Sequence, residues 1–330
     1  MIKYLLSFLI SFGFSLFLMP IIIKFLKRIS ASQTILSYVE AHKEKNGTTT
    51  MGGVVFMLST LFLSFFFLKY DTNWFMVLLF SVFFGCLGFM DDFLKIKYKH
   101  NMGLRPYQKL IGQVALSVIF ALYVFFNVGG EVFVPFINRS VDLGVFVIPL
   151  IILVLIATTN SVNLTDGIDG LAGNVSLIYL IFFVIISVLL KNNLYLSGET
   201  GIIIQNMDNI NVLSMLFIGA ILGFLIFNTS KASIFMGDVG SLCLGGFIGA
   251  SACLVGLEFI IPILGFCFVF SAFSVILQVL FFKIKHKRIF KMAPFHHHLQ
   301  MTGISEPKIV LIYSSLTVVL GCLCLIFYLL

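Results

Sequence analysis

Five aspartates stand out because each lies where an apolar run meets glycine, asparagine or lysine. Asp91 and Asp92 are adjacent, within Gly88–Lys99 (GFMDDFLKIKYK). Neighbouring carboxylates repel unless a cation or a shared proton comes between them. Lys95 and Lys99 follow Asp91 at i+4 and i+8, so on a helix they share its face. Carboxylates and lysines on one face suit a metal ion and a phosphate together, which an ordinary acidic loop start does not require. Asn163, Asp166 and Asp169 recur every third residue in Asn160–Asn174 (NSVNLTDGIDGLAGN), interleaved with Gly167, Gly170 and Gly173. Glycine at that density lets main-chain N–H groups approach a ligand closely. This segment has no lysine or arginine to neutralise its own aspartates. Asp238 lies in Met236-Gly-Asp-Val-Gly240, again flanked by glycine at the start of an apolar run.

Hard oxygen donors of this kind favour Mg²⁺, or Mn²⁺, over zinc. Mg²⁺ usually takes only one or two carboxylates plus substrate phosphates, so five exceed the needs of one ion. The remainder must position substrate or move protons. His296-His297-His298 raises zinc as a competitor, but three consecutive histidines cannot easily share one metal, and no cysteine lies in these loops. The imidazoles read better as hydrogen-bond donors to phosphate or sugar. The basic, aromatic stretch Phe281–Met292 (FFKIKHKRIFKM) has the composition of an interfacial helix. It either snorkels at anionic headgroups or guides an anionic lipid substrate.

The elements that carry these residues are apolar. Of 330 residues 60% are hydrophobic and 11% charged, with a mean hydropathy of +1.10. No water-soluble core hides that much apolar surface, so lipid is the solvent and the chain is an all-α polytopic membrane protein. Apolar runs predict ten spans, at 4–26, 51–68, 74–90, 110–127, 145–159, 173–190, 211–228, 240–257, 259–282 and 308–330. They form a single catalytic domain over 1–330. The first run is too long for a signal peptide and leads into Lys24, Lys27 and Arg28. With ten spans, 17 of the 21 Lys and Arg residues fall on one side, and the positive-inside rule places that side in the cytosol. All five aspartates then sit at cytosolic span ends, and the +7 net charge reflects topology, not nucleic-acid binding. On the outer side, Glu131–Val141 alternates like a short hairpin and Lys191–Asn209 reads as irregular. Gly219-x-x-x-Gly223 and Gly245-x-x-x-Gly249 predict close helix packing within the chain. The six cysteines lack metal-ligand spacing and read as small buried hydrophobes.

Phosphate loops of the G-x-x-x-x-G-K-[ST] type, dinucleotide G-x-G patterns and the esterase G-x-S-x-G are all absent from the sequence. A transporter would carry its charges near the bilayer midplane in repeated halves, and no repeat is visible.

In their order along alternate cytosolic loops, T-M-G-G, the Asp91-Asp92 pair, N-L-T-D-G-x-D-G-L-A, F-M-G-D-x-G-S and A-P-x-H-H-H resemble the polyprenyl-phosphate N-acetylhexosamine-1-phosphate transferases. The resemblance runs from about His42 to Pro307. The form A-P-F-H-H-H-L-Q sets the chain with the branch acting on UDP-MurNAc-pentapeptide, apart from relatives acting on UDP-GlcNAc. One departure is Thr49, where the family usually has proline.

The resemblance implies transfer of phospho-MurNAc-pentapeptide from UDP to undecaprenyl phosphate, giving lipid I and UMP at the bacterial inner membrane. It implies that Asp238 coordinates Mg²⁺. Lys45, Gly167, Ile168, Asp169, Asn228 and Phe235 would line a uridine pocket, with Phe235 stacked on uracil. Asp91, Asp92, Asn163, Asp166 and His296, His297 and His298 would surround the diphosphate and the reacting groups. Thr50, in the same loop as Lys45, would also bind substrate, as would Lys95, Lys99 and Lys109, which add positive potential. Members of this family tend to dimerise, so a homodimer is expected. The expected route is direct in-line attack with Asp91 orienting or deprotonating the acceptor; a covalent aspartyl intermediate is the alternative.

Overall fold

The structure is a computed structural model that describes residues 2–28, 48–98, 103–134, 139–196, 202–229 and 231–329. In chain order the helices are α1 (Ile2–Arg28), α2 (Val54–Phe67), α3 (Thr72–Tyr98), α4 (Pro106–Asn127), α5 (Val147–Thr165) and α6 (Leu171–Leu196). They continue as α7 (Ile202–Asn228), α8 (Gly237–Leu254), α9 (Ile261–Leu264), α10 (Phe266–Lys285), α11 (Phe295–Met301) and α12 (Glu306–Leu329). Among the described residues nine, all but α2, α9 and α11, are long and apolar enough to cross a bilayer. The chain is an all-α multi-pass membrane protein, and its exposed phenylalanines, leucines and isoleucines face the surroundings along these helices.

α8 is the axis of the bundle. Val239 through Leu254 are all buried, because glycine and serine spaced along this helix admit neighbours on every side. A Cβ on Gly245 would meet the Thr158 and Thr159 backbone of α5, and one on Gly88 of α3 would meet the Asp238 carbonyl. α3 runs antiparallel to α8, with the Ser81 hydroxyl donating to the Cys243 carbonyl (2.9 Å) and Gly88 beside Asp238. α5 is antiparallel to α8 as well, placing Leu155 against Gly249 and Asn163 against Ser241. α1 and α7 run parallel: Ser11 donates to the Leu216 carbonyl and Ser15 to that of Ala220, beside Gly219 and Gly223. The two G-x-x-x-G pairs thus pack within the chain.

Five expectations change. The second apolar run forms a helix of only 14 residues, because Met51, at φ +71°, keeps the chain before Gly53 out of the helix. The Thr49–Gly53 backbone pairs with Ile234–Met236: Phe235 N donates to the Thr49 carbonyl (2.7 Å), Gly52 N to Phe235 (2.8 Å) and Gly53 N to Met236 (2.9 Å). In the stretch expected to be irregular, 191–209, the described residues 191–196 and 202–209 are helical. Tyr4 and Lys191 both donate to Asp208, and the Asn73 amide donates to Asn206 Oδ1. Between α8 and α10 the chain folds into a 3₁₀ turn (Glu258–Ile260) and α9, so the ninth span starts at Phe266. The basic stretch 281–292 is not one helix, since α10 ends at His286 in a left-handed conformation (φ 52°). Cys86 and Cys322 are exposed, whereas the other four cysteines are buried as expected.

The hairpin forms where alternation predicts it, with Glu131–Val134 pairing antiparallel to Arg139–Asp142. Phe133 N donates to the Gly256 carbonyl (2.8 Å), past the C-terminal end of α8. It therefore caps the end of the bundle opposite Asp238.

Candidate active site

Three helices deliver carboxylates and cations to one point. α3 carries Asp91 and Asp92 about 30 Å along its length, counting 1.5 Å per residue, and both are buried. α8 places Asp238 in its first turn, where a negative charge is favoured by the helix dipole. α4 supplies Lys109 from its own first turn. One carboxylate oxygen from each of Asp91, Asp92 and Asp238 lies within 4.8 Å of the others.

The cluster is tightly tied. Asp238 Oδ2 accepts from Lys95 Nζ (3.1 Å) and Lys109 Nζ (3.0 Å), and its Oδ1 accepts from the Asn163 amide (2.8 Å). Asn163 also donates to Ser241 Oγ (2.8 Å). Lys95 pairs with Asp91 one turn back, the face-sharing that their i, i+4 spacing predicts. Asp92 Oδ2 accepts Val239 N (3.1 Å), and Asp91 Oδ1 accepts Leu104 N (2.8 Å). Three carboxyl groups thus share two ammonium groups. Two oxygen ligands of one Mg²⁺ lie at most about 4.2 Å apart, twice its usual bond length. The observed spread fits a small divalent cation after slight closure, and the all-oxygen donor set suits a hard ion.

The glycine-rich α5–α6 loop sits beside this cluster. Asp166 caps α5, and burial, then the charges of Asp238, Asp92 and Asp169, push its carboxyl up to about 8. Its carboxyl therefore holds a proton more readily than an ordinary carboxylate does. Asp169 Oδ2 accepts Ala232 N (3.2 Å). Asn228 joins the α5–α6 and α7–α8 loops, accepting Gly170 N (3.0 Å) and donating to the Ile234 carbonyl (2.8 Å). Gly170 has φ +75°, a conformation that favours glycine. Ile168 is buried and Phe235 is half-buried. Asn228 thus spends its amide on the fold, while Phe235 retains an accessible ring.

The three histidines separate by role. His296 is fully buried, neither ring nitrogen has a hydrogen-bond partner in the protein, and burial beside His297 pushes it down to about 3. A neutral imidazole results. His296 and His297 press on Gly167, whose missing Cβ would fall 2.4 Å and 2.8 Å from their Nε2 atoms. His297 pairs with Gln300 (3.2 Å). His298 turns away, its Nδ1 accepting Lys291 N (3.1 Å) to hold the basic turn after α10. Thr50 is buried next to Gly237. Lys45 and Lys99 lie outside the described residues.

Several participants escape a reading of motifs alone. Ser241 lies three residues after Asp238, the spacing of one helical turn, which was a usable signal. Gln113 and Asn160 form a reciprocal amide pair that locks α4 to α5 beneath Lys109, and nothing in their local sequence marks it.

Residues 74–256 match the family model for glycosyl transferase family 4. A phospho-N-acetylmuramoyl-pentapeptide-transferase of Clostridium novyi (strain NT) is 43% identical over 98% of this chain and 95% of its own length. The chain belongs to this transferase family. A transferase of the same name from Clostridium botulinum (strain Alaska E43 / Type E3) is 41% identical over 95% of the chain and 93% of its own length. One from Caldanaerobacter subterraneus subsp. tengcongensis is 40% identical over 99% and 98%. The family model covers Asp91, Asp92, Asp166, Asp169 and Asp238, while the full-length transferases also span the Thr50 and histidine segments.

Proposed function

We propose that the chain transfers phospho-MurNAc-pentapeptide from UDP-MurNAc-pentapeptide to undecaprenyl phosphate. The products are lipid I and UMP, at the cytosolic face of the bacterial inner membrane. One observation carries the reading: Asp91, Asp92, Asp238, Lys95 and Lys109 meet at one end of a lipid-solvated bundle. There a water-soluble diphosphate and a lipid phosphate can both reach them. The distribution of 17 of the 21 basic residues supports a cytosolic site.

An oxygen of the lipid phosphate attacks the β-phosphorus of the nucleotide-sugar, the new P–O bond forms, and the bond to UMP breaks. Asp91, oriented by Leu104 N, faces the acceptor and takes any proton it still carries. A phosphate monoester has its second pKa near 6, so this base needs little tuning. Lys95 and Lys109 stand where charge gathers on the transferring phosphates. Asp166 lies on the diphosphate side of the cluster, and the histidine segment lies across Gly167 from it. Phe235 stacks on uracil beside Gly167, Ile168 and Asp169. Asp238, with Asp91 and Asp92, would hold Mg²⁺, which when bound offsets negative charge on the departing UMP.

The test is UMP release by purified protein given UDP-MurNAc-pentapeptide, undecaprenyl phosphate and Mg²⁺. Release with this donor, and not with UDP-GlcNAc, is expected. Binding without release would overturn the proposal.

A further inference from the structure

α4 reaches the site with less support than its neighbours. α5 is pinned to α8, where Gly245 and Gly249 admit Thr158 and Leu155. Of the 22 residues of α4, only Gln113, Ser117, Phe120, Ala121 and Val124 are buried. That narrow stripe must hold the Lys109 ammonium 3.0 Å from Asp238. In lipid no hydrophobic force opposes the sliding of one apolar helix along another, so register falls to polar and close-packed contacts.

Gln113 supplies the polar contact. It is 1% exposed, and its amide faces that of Asn160 on α5. Asn160 Nδ2 donates to Gln113 Oε1 (2.9 Å), and Gln113 Nε2 donates to Asn160 Oδ1 (3.4 Å). Asn160 is tied to its own helix as well, since its Nδ2 also donates to the Ile156 carbonyl (2.8 Å). Lys109 precedes Gln113 by four residues, and Asn163 follows Asn160 by three. A second rung, Lys109 Nζ to Asn163 Oδ1 (3.4 Å), therefore lies about one helical turn beyond the first. Lys109 and Asn163 then meet on the two oxygens of Asp238. A one-residue slip of α4 would carry Lys109 about 1.5 Å along the axis and about 100° around it. Its bond to Asp238 would not survive.

We propose that Gln113 is a positioning residue for Lys109. Its amide pair with Asn160 sets the register of α4 on α5 and so aims the Lys109 ammonium at Asp238. Gln113 acts through Lys109 alone. The inference deepens the proposed function and rests on it only for its kinetic part.

The experiment uses Gln113→Leu, which removes the amide at similar size, in the purified full-length protein with two readouts. In UMP release, Gln113→Leu should lower kcat about 10- to 100-fold, as expected when a catalytic group is displaced by about 1 Å. Added to Lys109→Ala it should cost nothing further, whereas a general loss of packing would add its full cost. The exchange Gln113→Asn with Asn160→Gln, which rebuilds the pair, should recover most of kcat. In the second readout lysines are acetylated with acetic anhydride in the absence of substrate and followed by mass spectrometry. Freed from Asp238, Lys109 should react about tenfold faster in Gln113→Leu, while Lys95, held from α3, keeps its wild-type rate. The exchanged pair should restore protection. If Gln113→Leu does not fold, Gln113→Met carries the same expectations. Unchanged labelling of Lys109, an equal rise at Lys95, or a kcat loss that persists in full beside Lys109→Ala would overturn the inference. If the wild type released no UMP, the proposed function would fail, while the labelling would still decide the role of Gln113.

Discussion

The approach of α3 to α8 is the most exacting contact in the site, and Gly88→Ala tests it. A Cβ at Gly88 would lie 2.1 Å from the Asp238 carbonyl oxygen, 2.4 Å from its carbon and 2.6 Å from Val239 N. All three are backbone atoms, so no side chain can swing aside. Normal contact begins near 3.4 Å, and the start of α8 must therefore retreat by more than an ångström. The Asp238 carboxylate moves with it, yet its bonds to Asn163 (2.8 Å), Lys109 (3.0 Å) and Lys95 (3.1 Å) have little slack. Overpacking of this kind costs about 1–3 kcal/mol of stability. A catalytic group displaced by about 1 Å typically loses ~100-fold in rate. Gly88→Ala should thus lower kcat/KM for UMP release about 100-fold while the folded protein remains recoverable in detergent. Gly13→Ala in α1 is the control, since its Cβ meets nothing within 4 Å. It should leave activity unchanged and add up to about 1 kcal/mol by replacing a helical glycine. Activity of Gly88→Ala within about threefold of wild type would refute the claim that this contact sets the carboxylate cluster.

Asp238→Ala should abolish Mg²⁺-dependent turnover, and near-normal UMP release from that variant would remove Asp238 from the metal role. A chiral thiophosphate donor should show inversion at the transferred phosphorus; net retention would favour the covalent aspartyl route. Glu258, buried beyond the far end of α8, is pushed up to about 8 by burial, so the native state keeps a proton that the unfolded chain releases near 4.5. Stability should therefore fall as pH rises from about 5 to 8, by up to ~4 kcal/mol on the linkage relation. Glu258→Gln should flatten that dependence in heat challenge followed by size-exclusion chromatography. His296 has the opposite sign: held near 3 when folded, it contributes stability above its unfolded value of 6.5 that is lost as pH falls from about 6.5 to 3. His296→Asn should reduce the acid loss, and an identical acid profile would count against the buried neutral ring.

The carboxylate groups were legible in the chain because each sits where hydropathy changes, and hydropathy also locates the helix ends. The i, i+4 pairing of Asp91 with Lys95 was legible for the same reason: helical periodicity survives in one dimension. The contacts that select among neighbours were not. His296 and His298 share one motif, yet one is buried over Gly167 and the other bonds Lys291 N, a difference set by which face of α11 meets α12 and the α5–α6 loop. Apolar counting could not see that Thr49–Gly53 leaves the helix, because these residues are uncharged and their backbone partners lie some 180 positions away. The helical ends of α6 and α7 were missed for the converse reason: Asp208 and Asn206 look like loop residues until Tyr4, Lys191 and Asn73 are placed beside them.

The shortness of α2 has a consequence for the bilayer itself. Its 14 residues measure about 21 Å at 1.5 Å each, against a hydrocarbon thickness of about 30 Å. Alone it falls short of a crossing, and the irregular Thr49–Gly53 segment before it would be tolerated next to lipid only where protein surrounds it. These residues are buried and laddered onto Ile234–Met236. Lipid beside so short a helix must thin by the shortfall of about 9 Å unless protein covers the gap.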